Sequence, residues 1–117
     1  MTGQLSEERA CLFLQRHGYE IVTRNWRTRL GEIDIIARDG GTIVFVEVKA
    51  RSSSGFGGPE AAVHPGKQRR LIAAARLFLA AMDCQLPARF DVVVFLAGKP
   101  QLHRDAFQTD PACSLDY

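Results

Sequence analysis

The stretch GEIDIIARDGGTIVFVEVKA, residues 31–50, constrains this chain more than any other. Two apolar, largely β-branched runs flank Asp39-Gly40-Gly41, a hairpin turn signal. Successive side chains of a strand alternate between its faces. In the strand expected from Gly31 to Arg38, Ile33 and Ile35 share one face, and Glu32, Asp34 and Ile36 the other. In the strand expected from Thr42 to Ala50, Val44, Val46 and Val48 share one face, and Phe45, Glu47 and Lys49 the other. A two-residue Gly40-Gly41 loop pairs Asp39 with Thr42. That register sets Asp34 opposite Glu47 and Glu32 opposite Lys49. A four-residue loop gives the same register, whereas a three-residue loop or a bulge shifts it by one.

Two carboxylates facing each other destabilise a sheet and raise each other's affinity for protons. A hard divalent cation resolves the conflict. Mg²⁺ prefers oxygen ligands and is usually held by one or two carboxylates, water and substrate phosphate. Such a metal stabilises charge developing on a phosphodiester and generates hydroxide from bound water. Lys49, two residues from Glu47, is placed to position that water or to stabilise the transition state. The bland alternative is a set of surface ion pairs. The apolar context of EIDIIA and VFVEVKA weighs against it, because charged side chains are rarely buried in such surroundings without a role.

The rest of the chain supplies a scaffold. Ser6 reads as a helix N-cap with Glu7 and Glu8 in the first turn. Ala10, Cys11, Phe13, Leu14 and His17 follow as an apolar stripe, and Gly18 is a natural stop. Tyr19 to Trp26 reads as a strand and Arg27 to Leu30 as a basic connection. Arg51 to Pro59 reads as a flexible loop. Pro65 opens a second helix, with Leu71, Ala75, Phe78 and Met82 at helical spacing. Arg89 to Leu96 is a buried strand, and His103 to Phe107 adds a short last one. The order is α-β-β-β-α-β, with one more β: an α/β chain with a mixed sheet flanked by helices.

With 117 residues the chain suits one domain, residues 1–117, in which 1–5 and 108–117 are expected to be loosely ordered. Hydrophobic residues make up 46% and charged residues 24%, a globular mix. A net charge of +2 is too small to argue by itself for a nucleic-acid partner. The three cysteines, Cys11, Cys84 and Cys113, form no zinc-like or disulfide pattern, which points to a reducing, cytoplasmic setting. The polar N-terminus is not a signal peptide, and no apolar run is long enough to span a membrane.

GEIDIIARDG and VFVEVKAR, together with RHGYEIVTRNWR, FGGPEAAVHPGKQRRL and ARFDVVVF, resemble the small bacterial YraN-type family. That family is similar to archaeal Holliday junction resolvases and lies within the PD-(D/E)XK, restriction-endonuclease-like superfamily. The resemblance runs from Glu7 to about Phe107. It implies a restriction-endonuclease-like core, Asp34 and Glu47 as metal ligands, Lys49 as catalytic lysine, and the Val48 carbonyl as a further ligand. It also aligns Glu7 with a helix glutamate that completes the acidic site of resolvase-like members. Glu7 shares a helical face with Ala10, Cys11 and Leu14, at the edge of the side that packs on the sheet. The other readings are a solvated first-turn acid at Glu7, or Glu8 in its place if the helix is rotated. Two positions depart from the pattern: Ile33 stands where the superfamily name has proline, and Ser6 where many relatives have glycine.

Several groups are candidates to hold nucleic acid. Arg24, Trp26, Arg27 and Arg29 form a basic, aromatic stretch leading into the hairpin, where arginines grip phosphates and Trp26 stacks on a base or joins the core. Arg51 follows the catalytic strand, and Lys67 and Gln68 open the second helix. Lys67 shares a face with Leu71 and is expected to point toward the site, while Arg69 and Arg70 read as a solvated face. The expectation is a Mg²⁺- or Mn²⁺-dependent nuclease acting on DNA, possible as a homodimer by analogy with junction resolvases. A nucleic-acid-binding module lacking cleavage is the alternative.

Overall fold

The computed structural model describes residues 3–51 and 63–108, with side chains described from Leu5 onward. Most of the expected Arg51–Pro59 loop, Cys113 and the tail beyond Gln108 lie outside the described residues. Among the described residues the order is α1 (Gly3–Arg16), β1 (Glu20–Thr28), β2 (Gly31–Asp39), β3 (Thr42–Arg51), α2 (Pro65–Ala81), β4 (Ala88–Leu96) and β5 (Lys99–Phe107). The strands form one sheet in chain order. β3 and β4 are parallel and the other neighbours antiparallel. This is the mixed α/β arrangement expected for a nuclease-like core. Parallel neighbours need a crossover connection, and α2 is part of it.

The helices cover opposite faces of the sheet. α1 lays Ala10, Cys11 and Leu14 on Ile35, Ala37, Val44, Val46, Val93 and Phe95. α2 lays Leu71, Ile72, Ala74, Ala75 and Phe78 on Ile33, Ile36, Phe45, Phe90, Val92 and Val94. β3 and β4 therefore feed both layers by strict alternation, as buried strands do. Phe45 meets Phe78 edge-on at 5.9 Å between ring centroids and Phe90 at 5.5 Å, anchoring the α2 layer.

Several expectations need correction. Ser6 is not an N-cap: α1 begins at Gly3, so Ser6 lies within the helix, is buried, and Glu7 and Glu8 fall beyond the first turn. His17 lies past the helix end and is exposed; its ring bonds the Phe13 carbonyl instead of entering the core. Met82 caps α2 and is 59% exposed, so the apolar stripe ends at Phe78. The last strand begins at Lys99, not His103, and turns through Ala97-Gly98, both at positive φ.

β2 departs most from the expected alternation. Ile33 and Ile35 do not share a face: Ile33 joins Ile36 in the α2 layer, and Ile35 joins Ala37 in the α1 layer. The alternation breaks between them, at Asp34. The turn-derived register holds from Asp39–Thr42 to Ile35–Val46, and the ladder ends there. Glu32 pairs with Arg27 of β1, not with Lys49. At the start of β2, Gly31 abuts α2 so closely that a Cβ would lie 2.8 Å from the Arg70 carbonyl oxygen, which leaves room for glycine alone.

Candidate active site

Asp34 and Glu47 come together where the β2–β3 ladder ends. The break in β2 turns Asp34 out of the regular pleat, and its Oδ2 accepts the Val48 N–H at 2.9 Å. The carboxylate thus replaces the backbone partner that a continued ladder would have given. Burial pushes the Asp34 carboxyl up to about 7. The Glu47 charge and a hydrogen bond with Glu47 add to that rise, the Glu7 charge adds further, and the Val48 N–H works against it.

Glu47 is 3% exposed and uses its two oxygens unequally. Oε2 receives Lys49 Nζ at 3.1 Å and Lys67 Nζ at 3.6 Å. Oε1 is buried with no hydrogen-bond partner. Glu7 is 8% exposed, and its Oε1 is likewise buried without a partner. Leaving a carboxylate oxygen buried without a hydrogen bond costs about 1–3 kcal/mol, so orphans of this kind call for an explanation. All the donors here are hard carboxylate oxygens, the type that suits Mg²⁺ or Mn²⁺. Among the described residues no three His, Cys, Asp or Glu side chains are gathered tightly enough to hold a metal ion unaided. The donor set fits a cation held by Asp34 and Glu47 and completed by water and substrate, with the Glu7 charge near enough to act on Asp34.

The basic candidates divide. Lys49 and Lys67 reach the acidic pair. Arg27 is exposed and pairs with Glu32 at 3.3 Å. Arg29 is exposed in the β1–β2 turn, and Arg51 is exposed at the end of β3. Arg24 lies close enough to Cys11 of α1 for its charge to oppose the upward push of burial on that thiol. Trp26 is half-buried and meets Phe78 edge-on at 5.4 Å, packed on the α2 layer. The Gln68 amide donates to the Val63 carbonyl at 2.7 Å, tying the loop end to α2. His64 caps that helix, its Nδ1 accepting the Lys67 N–H at 3.2 Å.

Sequence reasoning missed a second polar cluster, at the hairpin end of the sheet. Asp91 is fully buried and fully bonded. Its Oδ1 accepts from Arg89 Nε at 3.0 Å and the Asp105 N–H at 2.9 Å, and its Oδ2 from the Tyr19 hydroxyl at 2.6 Å and Arg89 at 3.2 Å. Arg89 also reaches Asp39 at 2.8 Å, and Arg104 reaches the Tyr19 hydroxyl at 3.2 Å. Burial pushes the Tyr19 phenol up to about 12, with the bond to Asp91 and the Asp91 charge adding to it. Burial works against the Arg89 charge, but bonds to Asp91 and Asp39 outweigh it and hold the guanidinium protonated. The one signal in the sequence was an aspartate inside the apolar run RFDVVVF.

Comparison with known proteins places the chain. The model of the family described as "Uncharacterised protein family UPF0102" matches residues 6–95. A UPF0102 protein of Cupriavidus pinatubonensis is 48% identical over 111 residues, covering 94% of this chain and 87% of its own. One from Ralstonia nicotianae is 50% identical over 111 residues, covering 91% and 85%. One from Desulforapulum autotrophicum is 47% identical over 113 residues, covering 92% and 93%. Among the described residues no helix is long and apolar enough to cross a membrane.

Proposed function

We propose that this chain, which belongs to the uncharacterised protein family UPF0102, is a metal-dependent nuclease that hydrolyses phosphodiester bonds in DNA. The observation that carries the reading is the Asp34–Glu47 pair, with buried, orphaned oxygens on Glu47 and Glu7 and two ammonium groups alongside. A site built only for stability would have paired those oxygens, as Asp91 is paired.

In this reading Asp34 and Glu47 hold Mg²⁺ or Mn²⁺, with Glu7 and the Val48 carbonyl as further donors. When bound, the cation supplies Lewis-acid stabilisation and a lowered pKa for coordinated water. The chain's own groups do the rest. The Asp34 bond to the Val48 N–H fixes both the carboxylate and the strand that carries Glu47 and Lys49. Lys49, 29% exposed at its side chain, faces solvent from beside Glu47, where its ammonium can meet a phosphate oxygen or orient the attacking water. Arg29, exposed in the β1–β2 turn, and Arg51, exposed at the end of β3, are candidate contacts for phosphates farther along the backbone. The likeness to junction resolvases extends the proposal to branched or otherwise structured DNA, and to a homodimer that brings two sites to two strands.

The test is incubation of the purified protein with Mg²⁺ or Mn²⁺ and labelled single strands, duplex, flaps, nicked duplex, four-way junctions and RNA, with a chelator arm. Cleavage of one DNA class that chelator stops is the expected result. Binding to one structure without cleavage of any would replace the nuclease with a nucleic-acid-binding module.

A further inference from the structure

Resting on that reading, we infer that Lys67 is a second lysine of the site: α2 holds it against Glu47 as a stand-in cation, and a divalent ion displaces it toward the substrate phosphate. Lys49, from the same strand as Glu47, already lies at 3.1 Å from its Oε2. A second ammonium arrives from another element, at 3.6 Å, on the same oxygen. Two cations thus crowd Oε2 while buried Oε1 has none. Both ammonium groups share one oxygen and the other stays without a partner, so the two lysines do not satisfy the carboxylate as a structural ion pair would. The arrangement makes sense if the carboxylate's usual partner is a third cation and both lysines take its place in its absence.

The backbone of Lys67 is fixed, and its ammonium keeps access to solvent. His64 caps its N–H at 3.2 Å, Pro65 presets the first turn, and the Gln68 N–H bonds the His64 carbonyl at 3.0 Å. The side chain is 25% exposed, so its head group has solvent, and a bound phosphate, within reach. A divalent cation on Glu47 repels both ammonium groups. Lys67, the more distant of the two, would be the one released, free to meet a substrate phosphate oxygen.

The test titrates Mn²⁺ into the wild-type chain, Lys67→Met, Lys67→Arg and Glu47→Gln without nucleic acid, following free Mn²⁺ by electron paramagnetic resonance. Removing a competing charge should tighten Mn²⁺ binding in Lys67→Met by about tenfold, within the usual range of coupling between sites. Lys67→Arg should stay near wild type and Glu47→Gln should bind weakly. With Mn²⁺ saturating, Lys67→Met should cleave at least about tenfold more slowly, as expected when a group stabilising transition-state charge is lost. Unchanged or weaker Mn²⁺ binding in a folded Lys67→Met protein would overturn the inference even if the wild type cleaves DNA. Tighter binding in a protein that cleaves nothing would keep the displacement and lose the nuclease. No Mn²⁺ binding by any variant would overturn both.

Discussion

The two ends of the sheet treat buried charge in opposite ways. At the hairpin end, Asp91 is completely enclosed and every lone pair it offers finds a donor, from Tyr19, Arg89 and the Asp105 backbone. At the other end, Asp34 and Glu47 press two acids together, and Glu47 and Glu7 each leave a buried oxygen without a partner. Both clusters hold carboxylates next to basic side chains on the same strands. The difference teaches that burial of charge alone does not mark a site. What marks it is a buried carboxylate oxygen whose partner is missing, since a satisfied network specifies structure and an unsatisfied one stores a cost that a ligand can relieve.

The comparison can be broken most sharply by removing one residue from each end. Glu47→Gln and Lys49→Ala should each lower cleavage by about a hundredfold or more, the scale of a lost transition-state charge contact, with the thermal midpoint unchanged or raised. Asp91→Ala should do the reverse. It removes a buried carboxylate bonded by Tyr19, Arg89 and the Asp105 N–H and leaves the part-buried Arg89 to Asp39, a loss of about 3 kcal/mol seen in denaturant melts, while cleavage per folded molecule persists. Wild-type stability in Glu47→Gln together with wild-type cleavage would erase the distinction between the two ends.

Smaller changes sharpen it. Tyr19→Phe deletes one bond to a buried carboxylate and should cost about 1–3 kcal/mol. Because folding raises the Tyr19 phenol to about 12, the contribution of its bond is fully present below the ordinary tyrosine range near pH 10. It is lost as pH rises through about 12, so the gap between Tyr19→Phe and wild type should close there.

Asp34→Asn should have the smallest effect on stability and the opposite sign. Burial and Glu47 raise the Asp34 carboxyl to about 7, so the native state holds its proton more tightly than the unfolded chain. Wild type is therefore relatively favoured below the ordinary carboxylate range near pH 4, and that advantage is lost as pH rises through about 7. Asparagine keeps an acceptor for the Val48 N–H and carries no charge. The variant should be more stable than wild type at pH 8, by roughly 1 kcal/mol, and the gain should vanish near pH 4. Equal melting curves at pH 8 would show that Asp34 carries no burden there.

The fold was legible where local chemistry decides. Asp39-Gly40-Gly41 dictated the hairpin, and the Asp39–Thr42 register followed from the turn without tertiary information. Pro65 marked the start of α2 for a similarly local reason. The break at Asp34 was not legible: it depends on how β1, β2 and both helices close around one residue, and the turn-based register runs past the point where the ladder ends. The Tyr19–Asp91 bond joins residues 72 apart in sequence, and no pattern in either neighbourhood announces the other. At the site, Lys49 was readable from its two-residue spacing to Glu47. Lys67 was readable only as a helix face, because its contact with Glu47 spans a crossover. Ser6 misled because a good capping residue competes with whatever lies before it, and the helix had already begun at Gly3.

The central claim is that the unpaired end of the sheet is the catalytic one. Its most direct test is Mg²⁺-dependent cleavage of the preferred DNA substrate by wild type, Glu47→Gln and Asp91→Asn, each normalised to its folded fraction. Wild type and Asp91→Asn should cleave in a chelator-sensitive way, and Glu47→Gln should not cleave. Equal cleavage by wild type and Glu47→Gln, or its loss in Asp91→Asn alone, would contradict that claim.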